Sequence, residues 1–170
     1  MRYIRIDKAD AGNGPGIRVV IWVSGCENAC PGCHNPETWE YEQGKQFDQK
    51  AYDAIVAELK KPYYRGIALT GGDPLAPKNR FDMLAIAARL KADLPNRDIW
   101  CWTGHRYEEL AGMDLSPIDV LVDGRFDIGT RIEDMRKPDW ENILKYRGSS
   151  NQRVIDVAKS IEAGKAIEIE

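Results

Sequence analysis

The stretch "IRVVIWV" (residues 17–23) runs directly into the cysteine-containing loop "SGCENACPGCHN" (24–35). Its β-branched and aromatic side chains are typical of a buried strand. Three further stretches have the same character and end in turns: "GIALT" (66–70), "DIWCWTG" (98–104) and "IDVLVDG" (118–124). We therefore predict four strands, each of which leads into a loop with glycine or polar residues.

Two segments between these strands have the spacing of helices. Apolar residues recur at four-residue steps in 47–60, and a second helical pattern covers 79–94, with Phe81, Leu84, Ala85 and Ala88 near one face. Strands that alternate with helices predict an α/β fold with a mostly parallel sheet. Because the carboxyl ends of parallel strands meet at one edge, their loops are expected to form one ligand-binding rim.

The length of the chain limits the architecture. Its 170 residues fit a single domain over 1–170, with the motifs between about residue 10 and residue 155 and a tail at 156–170. A closed (β/α)8 barrel needs roughly 200 residues or more, so we expect an incomplete barrel of about five or six βα units. The stretch "QRVIDVAKSIE" (152–162) is compatible with either helix or strand.

Composition and charge weigh against several classes of protein. The net charge is −3, whereas a general nucleic-acid binder is usually basic, so no nucleic-acid partner is expected. No apolar run approaches the roughly 20 residues of a membrane span, and the first residues lack the apolar core of a signal peptide. We therefore expect a cytoplasmic protein without a membrane partner.

Three of the four cysteines form one cluster. Cys26, Cys30 and Cys33 have the spacing C-x3-C-x2-C, which in a reducing compartment indicates a metal site rather than disulfides. A structural zinc ion needs four ligands, and the remaining candidates are His34, adjacent to Cys33, and Cys101, which the apolar strand predicts to be a core residue. The alternative is a 4Fe–4S cluster that leaves one iron open to a ligand with nitrogen and oxygen donors.

The wider sequence resembles the radical S-adenosylmethionine superfamily. Within that superfamily, it looks like the activating enzymes of glycyl-radical enzymes, above all those that serve anaerobic ribonucleotide reductase. The segments that carry the resemblance stand in the family's order: "NGPGIRVVIWVSGCENACPGCHNPETW" (13–39), "TGGDPL" (70–75), "IWCWTG" (99–104), "DVLVDGRF" (119–126) and "RGSSNQRVI" (147–155).

The resemblance implies a mechanism. Cys26, Cys30 and Cys33 would ligate a 4Fe–4S cluster, whose fourth iron would chelate S-adenosylmethionine. Reductive cleavage would give methionine and a 5′-deoxyadenosyl radical, which would form a glycyl radical on the catalytic subunit of anaerobic ribonucleotide reductase. The resemblance also implies a partial barrel of the radical S-adenosylmethionine type, and an electron donor such as flavodoxin or ferredoxin.

Further residues are candidates for binding the cosubstrate. Gly71, Gly72 and Asp73 form a turn that, in the family, faces the methionine amino group, although many members carry Glu where Asp73 stands. Many members also place an aromatic residue against the adenine at the position of Gly32, so His34 is a candidate for that planar contact. An ordinary polar loop residue is an equal alternative for His34. For the Gly-Gly-Asp turn, the position one βα unit after the cysteine loop favours ligand binding over a plain turn.

Two strand ends supply the last candidates, Thr103 and Asp123, which lie where a bound nucleoside would reach. The segment "RGSSNQR" (147–153) has many hydrogen-bonding side chains, and either a capping role or a partner contact fits it. Two other functions remain as alternatives: a radical enzyme acting on a small molecule, which would need more substrate-binding segments, and a zinc-binding interaction module.

Overall fold

A computed structural model describes residues 1–132 and 146–169 of the chain. Its strands are β1 (Arg2–Asp10), β2 (Ile17–Val23), β3 (Lys45–Gln46), β4 (Tyr64–Gly71), β5 (Asp98–Trp102), β6 (Val120–Asp123) and β7 (Arg153–Asp156). Its α-helices are α1 (Gln49–Leu59), α2 (Arg80–Asp93) and α3 (Val157–Ala163), and short 3-10 helices cover Pro36–Thr38, Tyr107–Leu110 and Ile128–Thr130.

The seven strands in the described part of the chain form one sheet in the order β3-β1-β2-β4-β5-β6-β7. The central strands β2, β4, β5 and β6 pair in parallel, as the alternation of strands and helices predicted. The pairs β1–β2, β1–β3 and β6–β7 are antiparallel, so the α/β class is confirmed but the sheet is mixed.

The described residues contain fewer βα units than the five or six that were predicted. In the described ranges, α1 and α2 provide the crossovers before and after β4, whereas β5 reaches β6 through the 3-10 helix Tyr107–Leu110. Residues 152–162, whose sequence was compatible with either helix or strand, contain both, because β7 is followed immediately by α3. No helix in the described part of the chain is long and apolar enough to cross a membrane.

The two faces of the sheet carry different clusters of buried side chains. One face packs against α1 and α2 through Val19, Ile21, Leu69, Tyr52, Ile55, Met83 and Leu90. The opposite face carries Val20, Trp22, Ala68, Trp100, Val122 and Tyr146, with Trp102 packed against them. Because successive side chains of a strand point to opposite faces, β2 contributes to both clusters. The face opposite α1 and α2 is therefore rich in aromatic side chains, and most of its residues are buried.

The buried side of α2 was predicted incorrectly. Phe81 is 77% exposed, and the helix buries Met83, Ala87 and Leu90 instead. The apolar pattern of this helix is broad, so its spacing alone does not fix which side faces the sheet.

Candidate metal centre and ligand cavity

The loops that follow β2, β4 and β5 enclose one cavity of about 370 Å³ at the carboxyl edge of the parallel strands. Most of the predicted site residues line it: Cys26, Cys30, Cys33, His34, Gly71, Gly72, Asp73 and Thr103. The aromatic residues Trp22, Trp39, Trp102, Phe126 and Tyr146 also line it. The single rim expected from the parallel topology is therefore present.

Backbone hydrogen bonds hold the cysteine loop at both ends. The Gly25 and Cys26 amides donate to the Thr38 and Trp39 carbonyls at 2.7 and 3.0 Å, and the Cys33 amide donates to the Cys30 carbonyl at 3.1 Å. The three thiols are half-buried. The loop is thus closed on itself and presents its sulfurs to the cavity.

Nitrogen donors surround the sulfurs. The Asn28 side-chain amide lies 3.5 Å from the Cys26 Sγ, and the Asn35 backbone amide lies 3.4 Å from the Cys33 Sγ. Burial raises the pKa of the Cys26 and Cys30 thiols. Two backbone hydrogen bonds lower these pKa values in part: the Asn28 amide acts on Cys26 and the Phe126 amide acts on Cys30. Such donors stabilise thiolates, which are the form that ligates iron.

Cys101 has a different environment. It is completely buried in the cluster on the helix-bearing face of the sheet, and burial raises the pKa of its thiol well above the usual value. Cys101 does not line the cavity. The prediction that it is a core residue is confirmed.

No three His, Cys, Asp or Glu side chains are grouped as ligands of a single ion in residues 1–132 and 146–169. A cubane cluster makes a different demand, because each cysteine binds its own iron and the three sulfurs need only surround one cavity. Cys26, Cys30 and Cys33 all line the same cavity.

The Gly-Gly-Asp turn packs directly on the cysteine loop. The Gly72 amide donates to the Val23 carbonyl at 2.9 Å, and the Asp73 amide donates to the Gly25 carbonyl at 2.8 Å. A Cβ on Gly72 would lie 2.4 Å from the Gly25 carbonyl oxygen, so only glycine permits this approach. Gly71 has a φ of 103°, which also favours glycine.

Asp73 is an internal connector of the rim. Its side chain is almost fully buried and accepts hydrogen bonds from the Thr103 hydroxyl, the Gly104 and Leu75 amides and the Asn28 side chain at 2.8, 3.0, 2.9 and 3.1 Å. The predicted contact with the methionine amino group stays a prediction. In the structure, this carboxylate joins three loops.

The remaining predicted residues do not all line the cavity. The His34 ring contacts Phe126 at a centroid distance of 4.9 Å, and burial lowers the pKa of the imidazole. Gly32 lies outside the cavity lining, beneath the Ile128 side chain. Asp123 also lies outside it and is buried between Arg106 and Arg153, with the Tyr107 amide donating to it at 2.7 Å.

Two asparagines that the sequence reasoning did not select contribute to the rim. Asn28 contacts both Cys26 and Asp73, and its position inside the cysteine motif was the available signal. The Asn79 side chain, which is buried, donates to the Ser24 and Asp73 carbonyls at 2.9 and 3.0 Å. Nothing in the sequence around Asn79 distinguishes it from an ordinary helix cap.

Comparisons with known proteins identify the family of the chain. Residues 12–155 match the protein family described as "4Fe-4S single cluster domain". An anaerobic ribonucleoside-triphosphate reductase-activating protein from Salmonella typhimurium is 42% identical over 159 residues, which cover 91% of this chain and 97% of that protein.

The chain belongs to the family of anaerobic ribonucleoside-triphosphate reductase-activating proteins. Further members are similar to it over nearly their whole length. The protein of that name from Escherichia coli is 40% identical over 159 residues, covering 91% of this chain and 97% of its own. The one from Vibrio cholerae is 40% identical over 157 residues, covering 89% and 96%. The family resemblance of the sequence motifs is therefore confirmed, and the family description favours an iron–sulfur cofactor over zinc.

Proposed function

We propose that this chain cleaves S-adenosylmethionine reductively at a 4Fe–4S cluster and thereby generates a glycyl radical on the catalytic subunit of anaerobic ribonucleotide reductase. The observation that carries the proposal is the grouping of three half-buried cysteines around one cavity, while the fourth cysteine is buried in the core. The family membership points to the same reaction. The two alternative functions, a small-molecule radical enzyme and a zinc module, explain fewer of the observed features.

The residues present fit the cluster. Cys26, Cys30 and Cys33 would hold three of its irons and leave the fourth to the cosubstrate, and the nearby amides of Asn28 and Asn35 would stabilise the charged sulfurs. When bound, the cluster supplies the electron that cleaves S-adenosylmethionine into methionine and a 5′-deoxyadenosyl radical, which takes a hydrogen atom from the glycine Cα.

The protein's own contribution is to bind and orient. The backbone of Gly71 and Gly72 faces the cavity and would accept the methionine amino group, while Asp73 holds the turn in place and adds negative charge. Thr103 and His34 line the same cavity and would contact the nucleoside. The apolar surface of Trp22 and Trp102 would exclude water, which would otherwise compete for a reactive intermediate.

Gly32 does not line the cavity, so the backbone contact with the adenine that the resemblance implies stays a prediction. Asp123 would support the rim through its arginine partners. The glycine-bearing segment of the reductase would reach the cavity itself, whose lining includes Trp22, Trp102 and Phe126. A partial barrel of the radical S-adenosylmethionine type, in a single domain, leaves room for such a macromolecular substrate.

The test is stoichiometric radical transfer. Anaerobically reconstituted protein is mixed with S-adenosylmethionine, the catalytic subunit and a reductant; in the cytoplasm, a flavodoxin or ferredoxin would serve as that reductant. We expect one methionine and one 5′-deoxyadenosine per organic radical, and a doublet signal in electron paramagnetic resonance that changes when the glycine is deuterated at Cα. Cleavage of the cosubstrate with no radical on the subunit would contradict the proposed recipient.

A further inference from the structure

We call residues 147–153 the polar segment. Among the described residues, none of its side chains forms a hydrogen bond with Cys26, Cys30 or Cys33, but it holds the loop that covers these cysteines. That loop, residues 124–130, follows β6 and is called the covering turn here. Three side chains of the polar segment each hold a different part of the covering turn, and together they define its position relative to the cysteine loop.

Asn151 joins the two ends of the covering turn. Its side-chain amide nitrogen donates to the Arg125 carbonyl at 2.9 Å, and its oxygen accepts from the Thr130 hydroxyl at 3.0 Å. Because one planar amide makes both contacts, it links the two ends of the turn. A backbone hydrogen bond from the Ser150 amide to the Thr130 carbonyl at 2.9 Å holds the same end.

Ser149 and Gln152 hold the middle and the start of the same turn. The Ser149 hydroxyl accepts from the Asp127 amide at 3.1 Å, and the Gln152 side chain donates to the Gly124 carbonyl at 2.8 Å. Ser149 is completely buried and Gln152 nearly so. Buried hydrogen bonds of this kind specify one backbone arrangement, because leaving any of these groups unpaired would be costly.

The covering turn contacts the cysteine loop at residues 30, 32 and 34. The backbone amide of Phe126 faces the Cys30 sulfur, and the Phe126 ring packs on His34 at a centroid distance of 4.9 Å. Ile128 lies over Gly32 so closely that a Cβ there would be 2.5 Å from its Cδ1. Ile128 is nevertheless 53% exposed, so its side chain forms the outer wall between the loop and solvent.

We propose that the polar segment is a positioning element for the metal centre, acting through Phe126 and Ile128 of the covering turn to control solvent access to the cysteine loop. The inference rests on the proposed function, since it presumes a cluster held by these cysteines. Partners beyond the ligands orient a metal site and control solvent access, and their loss typically lowers metal affinity about 10- to 100-fold.

The experiment measures anaerobic transfer of iron from the reconstituted full-length protein to a ferrous chelator. The variants are Ile128→Ala, Asn151→Ala and the double variant. Ile128→Leu keeps the bulk over Gly32, and Asn96→Ala removes an exposed turn asparagine elsewhere, so both serve as controls. The midpoint potential of the cluster is recorded for each protein, because solvent exposure contributes to it.

We expect each single variant to release iron about 10-fold faster than the wild type, and the double variant to release it no faster than the faster single variant. Both single variants should shift the midpoint potential in the same direction, with the two controls unchanged. Wild-type release rates in the single variants, or effects that multiply in the double variant, would overturn the inference while leaving the proposed function intact. A wild-type protein that cannot hold a cluster would overturn both.

Discussion

The Thr103 hydroxyl, at the end of β5, donates to the Asp73 carboxylate, at the end of β4, across 2.8 Å. The second oxygen of the same carboxylate accepts from the Gly104 amide and from Asn28 of the cysteine loop. One buried side chain therefore links the loops that follow three neighbouring parallel strands. The rim depends on this carboxylate for its shape before any ligand binds.

Replacing Asp73 with Asn tests that dependence. An amide nitrogen in place of one oxygen would face two donors, so we expect the free energy of unfolding of the apoprotein to fall by about 1–3 kcal/mol. Urea denaturation followed by circular dichroism measures the change. The exposed α1 residue Asp53 provides the control, because Asp53→Asn keeps an acceptor for the Gln49 side chain and should leave the unfolding transition nearly unchanged. Equal stability of the two variants would mean that Asp73 does not hold the rim together.

Gly72→Ala tests the close packing of the Gly-Gly-Asp turn on the cysteine loop. The added methyl group would lie 2.4 Å from the Gly25 carbonyl oxygen, so we expect a loss of about 1–3 kcal/mol in stability and a lower iron content after reconstitution. Gly12→Ala is the matched control, since its Cβ would meet no atom closer than 3.8 Å. Full iron content and wild-type stability in the Gly72 variant would contradict the packing argument.

The cysteines should divide into two groups. Cys26→Ala, Cys30→Ala and Cys33→Ala should each abolish the reconstituted cluster, whereas Cys101→Ala should retain it and lose about 1 kcal/mol of stability through a small cavity. Iron and sulfide analysis, with urea denaturation of the apoproteins, measures both effects. A Cys101 variant without a cluster, beside a Cys33 variant that keeps one, would reverse the assignment of ligands.

The central part of the fold could be predicted from the sequence. All four predicted strands and both predicted helices are present, because the core strands are nearly continuous apolar runs and turn residues mark their ends. The first strand, β1, was missed. It lies near the edge of the sheet, where alternating charged residues such as Arg5 and Asp7 are partly exposed, and its sequence lacks the apolar run of a central strand.

The parts of the site that consist of contiguous sequence motifs could be predicted. The cysteine loop and the Gly-Gly-Asp turn are contiguous in sequence, and parallel topology brings both to one rim. The contacts of Asp123 depend on Arg106 and Arg153, which reach it through tertiary folding. The covering of Gly32 by Ile128 likewise joins residues almost a hundred positions apart, and no local spacing reports such a contact.

We propose above all that three cysteines hold a cluster whose open iron takes S-adenosylmethionine. The most direct measurement is electron paramagnetic resonance of the anaerobically reconstituted, reduced protein with and without this cosubstrate. We expect a 4Fe–4S signal whose shape changes when S-adenosylmethionine is added and that is absent from the Cys30→Ala variant. A silent sample that contains stoichiometric zinc, or a cluster signal indifferent to the cosubstrate, would contradict it.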